Sequence, residues 1–392
     1  MRSMTTVNDS PLPATATSGS QAVPRALAAL ADAAGFRFNG TDPWDVRVLD
    51  ARLYGRIHAA GSLGFGEAYV DGWWECERID QLCQRLLAVD VDRHVDGRLR
   101  FHALGDFLRH TLFNLQSYRR AFEVGKRHYD IGNDVFEAML DSSMTYSCAY
   151  WQRAATLEEA QRHKLDMICR KLELRRGERL LDIGVGWGGL ARFAAQNYGV
   201  EVVGITVSAE QQKLARQRCA GLPVSIELMD YRDLDGEFDK VVSVGMFEHV
   251  GAKNYRRYFD TAARALKDDG LFLLHTIGSH VTVRGQDPWL EKYIFPNSQI
   301  PSAAEITEAA EGRFLVEDWH NFGPDYDRTL MAWWDNFERR WPELAPRYGN
   351  RFYRLWKYYL HGCAGYFRAR RGQLWQVVFS KRERPAVYRS VR

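Results

Sequence analysis

Beyond residue 180 the apolar positions gather into short, β-branched runs that begin near Leu180, Val202, Val224, Val241 and Leu271. Segments 190–198, 209–219 and 255–266 separate them and carry the spacing of amphipathic helices. Strand and helix alternating at this interval predict a parallel sheet with helices on both faces. Later apolar stretches at 314–316 and 375–379 extend the sheet, and the aromatic segment between Trp289 and Trp356 is expected as an inserted wall spanning about 280–365. The pattern before residue 128 is different. Residues 1–24 are small and polar without periodicity, which predicts a disordered tail. Residues 25–115 mix a helix-like stretch (25–34), a strand-like one (45–49) and an aromatic, turn-rich run (64–74), as expected of a small accessory domain. Phe101, Leu104, Leu108, Leu112 and Leu115 recur at three- and four-residue steps, the stripe of an amphipathic helix, expected to pack on the next domain, with a bilayer surface as the alternative. A linker over 116–127 then leads into the main domain, 128–392.

Composition narrows the class. The chain has 392 residues, 46% hydrophobic and 26% charged, enough for an enzyme-sized core plus a smaller domain. No stretch approaches the roughly 18 apolar residues of a membrane span, and the start lacks the layout of a secretory signal, so a cytoplasmic address is expected. Six cysteines without a Cys-x-x-Cys pair point to neither a disulfide scaffold, a zinc ribbon nor a dithiol redox site. The net charge of +3 is unevenly laid out: Arg98 to His128 carries seven Lys/Arg against two acids, and Phe367 to Arg392 eight against one. Such segments suit an anionic surface, phospholipid or nucleic acid, and equally a solvated face.

The sharpest local signal is Leu180-Leu181-Asp182-Ile183-Gly184-Val185-Gly186-Trp187-Gly188-Gly189. A buried strand ends in a glycine turn and opens a helix, where missing side chains let a ligand approach the backbone. The glycines do not match the dinucleotide pattern Gly-x-Gly-x-x-Gly, and Asp182 would meet a cationic amino-acid group better than a pyrophosphate. S-adenosylmethionine fits this turn better than NAD.

The segment resembles motif I of class I S-adenosylmethionine-dependent methyltransferases, which implies their Rossmann-like α/β sheet. Where that class usually places a ribose-binding acid after the second strand, this chain has Thr206. Further stretches, His128-Tyr129-Asp130-Ile131-Gly132-Asn133-Asp134, Met144 to Trp151, Met246-Phe247-Glu248-His249-Val250-Gly251, Leu273 to Gly278, Tyr293 to Pro296, His320 to Tyr326 and His361 to Ala364, closely resemble the cyclopropane-fatty-acyl-phospholipid synthases, within the mycolic acid cyclopropane synthase family, from about Gly61 to Lys381.

That resemblance implies transfer of a methylene from S-adenosylmethionine to the cis double bond of an unsaturated phospholipid acyl chain, with bound bicarbonate as base. It places the bicarbonate cradle at Cys148, Glu248, His275, the backbone of Ile277, and Tyr326, with Cys363 nearby as a further catalytic candidate. It also implies that Tyr146 and Ser147 close over the methionine end, that Asp182, Gly184, Gly186 and Gly188 line it, that Thr206 and Gln211 meet the ribose, and that Asp230 and Tyr231 stand at adenine. Trp289, Tyr293, Phe295, Trp319 and Phe322 crowd the segment expected to line the acyl channel. A homodimer visiting the membrane surface peripherally and reversibly is implied as well. Taken singly, the two cysteines read as buried hydrophobes, His275 as a core histidine, and Glu248 with His249 as a solvated pair. A lipid methyltransferase leaving a methyl or methylene branch, or a small-amine N-methyltransferase, remains an alternative. A nucleic-acid methyltransferase is disfavoured because Ser243-Val244-Gly245-Met246 stands where an Asn/Asp-Pro-Pro-aromatic motif belongs, so no nucleic-acid partner is expected.

Overall fold

The computed structural model describes residues 22–89, 132–283 and 285–392. The amphipathic stripe at 101–115, the linker, the basic segment 98–128, most of the tail and the start of the His128 motif lie outside the described residues.

The main domain is built on a seven-stranded sheet: β3 (Arg179–Ile183), β4 (Glu201–Thr206), β5 (Val224–Leu228), β6 (Phe238–Val244), β7 (Leu266–Gly278), β8 (Leu315–Asn321) and β9 (Gln373–Ser380), in the order β5-β4-β3-β6-β7-β9-β8. The first five strands run parallel, and β9 pairs antiparallel with both β7 and β8. The order reverses at β3, so a crevice opens beyond the carboxyl ends of β3 and β6, where open α/β sheets bind ligands. One core layer joins Leu181, Val241, Phe259 and Phe272 under α8 (Tyr255–Ala265). The other joins Leu180, Ile168 and Ala194 under α5 (Leu157–Lys171) and α6 (Gly189–Tyr198). Both faces of the sheet are therefore covered, as the alternating pattern predicts.

The segment 280–365 is not a single inserted wall. Within it α10 (Ala303–Ala310) packs on α8, with Ile306 and Ala309 in the sheet core, and β8 completes the sheet edge. The wall proper consists of α9 (Pro288–Tyr293) and α11 (Pro324–Arg368), a 45-residue helical run broken at Gly349, whose φ of 69° is left-handed. α11 buries Trp333, Phe337, Trp356 and Leu360 against α4 (Asn133–Met139).

The accessory domain holds α1 (Arg25–Ala34), the two-stranded β1 (Arg47–Val48) and β2 (Trp74–Glu75), α2 (Arg52–Val70) and α3 (Ile79–Ala88) around Leu53, Tyr69, Trp74 and Leu82. The aromatic run at 64–70 is helix rather than turn: its glycines serve close packing, since a Cβ at Gly66 would lie 2.5 Å from Cδ1 of Trp289. The domain is clamped to α11. Arg354 donates to the carbonyls of Tyr69 and Trp74 at 2.7 and 3.0 Å, and fully buried Asp80 on α3 pairs with Arg78 and with Arg368, which also holds Asp327. The ring nitrogen Nδ1 of His361 lies 3.6 Å from the same carboxylate. Among the described residues no helix is long and apolar enough to cross a membrane.

Candidate active site

The glycine turn has the backbone its composition predicts. Gly184, Gly186 and Gly188 have φ values of 88°, 56° and 82°, the left-handed region closed to most side chains. Gly184 and Gly186 line a cavity of about 1740 Å³, and so do Tyr146, Ser147, Asp182, Thr206, Gln211, Asp230 and Tyr231. Gly188 does not. It caps α6, and a Cβ there would meet Cys219 Sγ at 3.0 Å, so its role is packing against the next helix, α7 (Ala209–Arg218).

Burial and charge shape this half of the cavity. Asp182, at the end of β3, is raised to about 7 because burial penalises its charged form, with Lys164 partly opposing. Thr206 donates to Gln211 Oε1 at 2.9 Å, which locks the two side chains at the end of β4 together. Asp230 is held by the Arg232 guanidinium at 2.7 Å from both Nε and Nη2, so its carboxylate reaches the cavity already paired.

Two residues on α5 carry no signal in the sequence. Gln161 Nε2 donates to the carbonyls of Thr145 and Ser147 at 3.2 and 2.9 Å, and Lys164 Nζ donates to Ser147 Oγ at 2.9 Å. Both side chains are fully buried, three residues apart on one helix face, and together they fix the strip that carries Tyr146. Burial pushes the Lys164 ammonium down to about 8, while Asp141, Cys148 and Asp182 pull the other way. A lysine in the charged sequence around 158–164 reads as surface. Only the tertiary fold shows that it is not.

At the adjoining end, Glu248, Ile277, Tyr326 and Cys363 line the same cavity. Glu248 follows β6 in a short 3-10 turn, and its Oε1 accepts the Ile277 amide at 2.7 Å, so that amide is already engaged by a protein partner. Its Oε2 is buried without a hydrogen-bond partner among the described residues. Burial raises Glu248 to about 7, partly offset by the amides of Ile277 and Glu248 and by the Thr276 hydroxyl. His275 lies behind the cavity wall. Gln376 Nε2 meets its Nδ1 at 3.2 Å, which assigns the ring proton to Nε2, and Nε2 is buried and unpartnered. Burial, with Lys164 and Lys171 adding like-charge repulsion, holds this imidazole neutral.

Cys148 also sits behind the wall, fully buried, donating to the Ala149 carbonyl at 3.2 Å. Burial raises its thiol well above the usual range, so it stays protonated. Thr329 on α11 ties this segment down, accepting from Ala149 N at 3.1 Å and Trp151 Nε1 at 2.9 Å. Tyr326, one turn earlier on α11, packs its ring 4.5 Å from Phe367, and burial raises its phenol, with Cys148, Tyr146, Glu248 and Cys363 adding to the shift. The Cys363 thiol is pushed up to about 12 by burial. The Tyr146 hydroxyl pairs with that of Tyr359 at 2.6 Å, joining the strip over the glycine turn to the wall helix.

Of the five aromatic residues expected along the channel, Trp289 and Phe295 line the cavity. Tyr293 instead donates to Glu67 at 2.8 Å, Trp319 packs on Trp375 across β8 and β9, and Phe322 packs between Tyr150 and His275.

The model of the mycolic acid cyclopropane synthetase family matches residues 116–377, two thirds of the sequence. The chain belongs to the mycolic acid cyclopropane synthetase family. It is accordingly an S-adenosylmethionine-dependent methyltransferase of class I fold. It is 56% identical over 351 residues to the cyclopropane-fatty-acyl-phospholipid synthase of Escherichia coli K12, covering 89% of this chain and 91% of that one. A probable fatty acid methyltransferase of Pseudomonas putida is 42% identical, covering 86% of each chain. Among solved structures, the mycolic acid cyclopropane synthase CmaA1 complexed with SAH and CTAB superposes with a TM-score of 0.62 at 33% identity, over 66% of this chain and 98% of that one.

Proposed function

We propose that this family member transfers a methylene unit from S-adenosylmethionine to the cis double bond of unsaturated phospholipid acyl chains, forming cyclopropane rings, with bicarbonate as the base. The observation that carries the reading is one cavity joining the glycine turn to Glu248 and Tyr326 and continuing between apolar walls, in a chain 56% identical to an enzyme of that name.

S-adenosylmethionine, when bound, supplies an electrophilic methyl on sulfur. The π electrons of the alkene form the new carbon–carbon bond as the carbon–sulfur bond breaks, and loss of one proton from the new methyl closes the ring. An alkene is a weak nucleophile and the cation is trapped by water, so the protein must align the partners and keep the site dry. Tyr146, Phe295, Tyr359 and Phe367 line the same cavity as Glu248 with aromatic rings, which would exclude water and offer π faces to positive charge.

The residues present suit a small anion. Glu248 Oε2 and His275 Nε2 are buried polar atoms without partners, and such orphans call for an occupant that satisfies them. Bicarbonate, when bound, would supply an anionic oxygen base able to take the proton lost from the new methyl. Glu248, which lines the cavity, would accept the hydroxyl proton in its ionised form, and His275, neutral with its proton on Nε2 and one layer behind the wall, would be the buried donor to the anion.

The test is turnover and cofactor binding of Glu248→Gln. The reading expects a large loss of turnover on unsaturated vesicles with cofactor affinity kept. Normal turnover would remove Glu248, and with it the proposed base site.

A further inference from the structure

The cavity does not end at the family core. Beyond Glu248 and Cys363 it continues against the accessory domain, where Leu27 and Leu30 of α1, Ile57 of α2, and Cys83, Leu86 and Leu87 of α3 form its wall. α3 meets α11 in direct contact. A Cβ at Gly365 would lie 2.7 Å from Cys83 Cβ, and one at Gly362, beside Cys363, would lie 3.9 Å from Cys83 Sγ. Gly365 thus lets α3 seat its apolar side beside the cysteine that faces the reaction cavity, whereas a Cβ at Gly362 would make only ordinary contact with Cys83. Arg371, which also lines the cavity, donates to the Leu87 carbonyl at 2.7 Å.

Size argues for a ligand here. The cavity, about 1740 Å³, exceeds the roughly 300–1,000 Å³ that a drug-sized ligand occupies. One such volume serves the cofactor, and among the described residues the remainder is walled mainly by leucine, isoleucine and phenylalanine; of the charged side chains that also line it, Asp50 and Arg52 pair with each other and Arg371 is engaged by the Leu87 carbonyl. The CmaA1 structure is matched over 98% of its length by only 66% of this chain, and the family model begins at residue 116, so this wall is absent from the family's common core.

We infer that the groove formed by Leu27, Leu30, Ile57, Leu86 and Leu87 is an acyl-chain-binding site of the accessory domain, continuous with the reaction cavity at Cys83 and Cys363. The inference rests on the proposed lipid substrate and adds where its hydrocarbon is held. The chain in the groove is either the distal end of the reacting chain or the second, saturated chain of the same phospholipid. The accessory domain therefore recognises lipid directly, beyond bracing α11.

The experiment uses the full chain, S-adenosylmethionine and vesicles of phosphatidylglycerol with one cis-unsaturated and one saturated chain. A photoreactive diazirine is placed at the methyl end of either chain in separate preparations. After irradiation, the expected result is label on peptides within 25–89 from at least one probe, removed by excess unlabelled lipid. The probe that labels identifies which chain occupies the groove. Leu87→Trp, which fills the groove, is expected to lower that label roughly tenfold with unchanged S-adenosylhomocysteine affinity. Conversion of both probes with label confined to 132–392 overturns the inference, as does undiminished label in a Leu87→Trp protein that still binds the cofactor product. If neither probe is converted, the lipid reading itself has failed and the inference falls with it.

Discussion

Glu248 accepts the amide hydrogen of Ile277 through Oε1 at 2.7 Å, while its second oxygen is buried without a partner. One oxygen fixes the carboxyl at the carboxyl end of the sheet, and the other is left to act. Burial raises the group to about 7, so ionisation falls within the working range. At saturating S-adenosylmethionine, kcat is expected to rise with pH through about 7 as Glu248 ionises, and Glu248→Gln is expected to lower kcat by about 10²- to 10⁴-fold and abolish that limb. A pH profile of the variant that keeps the limb would assign it to another group.

Asp182 is raised to a similar value by burial, and in the proposed function it serves cofactor binding rather than turnover. Asp182→Asn is expected to weaken S-adenosylhomocysteine by about 10- to 150-fold, the loss of one charge-assisted hydrogen bond of about 1.5–3 kcal/mol. The sign on stability is opposite. Between the unfolded value near 3.8 and about 7 the folded state holds a proton that the unfolded state releases, so stability falls as pH rises across that window. Asp182→Asn escapes this loss, and without ligand it should melt higher than the parent at pH 8, with the gap closing toward pH 4. Calorimetry across that range checks it.

Lys164 and Gln161 hold the strip Thr145 to Ser147 over the glycine turn. Lys164→Met is expected to weaken S-adenosylhomocysteine roughly tenfold while leaving methylthioadenosine, which lacks the amino-acid end, nearly unaffected. Lys164 also lowers Asp182, so its removal should shift the pH limb of product binding upward. Calorimetric titration with both ligands separates this positioning role from a general loss of fold, which would weaken both equally.

Much of the fold is legible in the sequence because each strand of the parallel sheet is a short apolar run followed by a periodic helix. The runs near Leu180, Val202 and Val224 fall within a residue of β3, β4 and β5. β7 begins five residues before Leu271, because Lys267, Asp268 and Asp269 break the apolar pattern yet continue the strand. The segment 64–74 misleads because glycine and aromatics usually mark a turn. Here Gly66 clears space for Trp289, a contact 223 residues distant that no local pattern encodes. In the site, Asp182, Thr206 and Glu248 can be read from motifs at strand ends. Lys164, Gln161 and Thr329 cannot, because a polar residue on a helix shows its burial only after packing.

Asp80 shows the same limit in the accessory domain. Its carboxylate is held well below the usual range: burial opposes this, but contacts from His361, Arg78 and Arg368 outweigh it. A depressed folded value gives stability present above the unfolded pKa and lost as pH falls below about 4. Asp80→Asn is expected to cost about 3–5 kcal/mol at neutral pH by leaving this buried cluster uncompensated. Urea unfolding at pH 7 measures the loss, and an unchanged midpoint would show that Arg368 is satisfied by Asp327 alone.

The identity of the lipid product is the most direct test of cyclopropane formation. Purified protein is incubated with vesicles of cis-unsaturated phospholipid and S-adenosylmethionine bearing a fully deuterated methyl, and the acyl chains are analysed by mass spectrometry with ring and branched products separated. Ring closure requires loss of one deuteron, so the account predicts a cyclopropane chain carrying two deuterium atoms in place of the alkene. A methyl-branched chain retaining all three, or no deuterium in lipid under conditions where the cofactor binds, would contradict it.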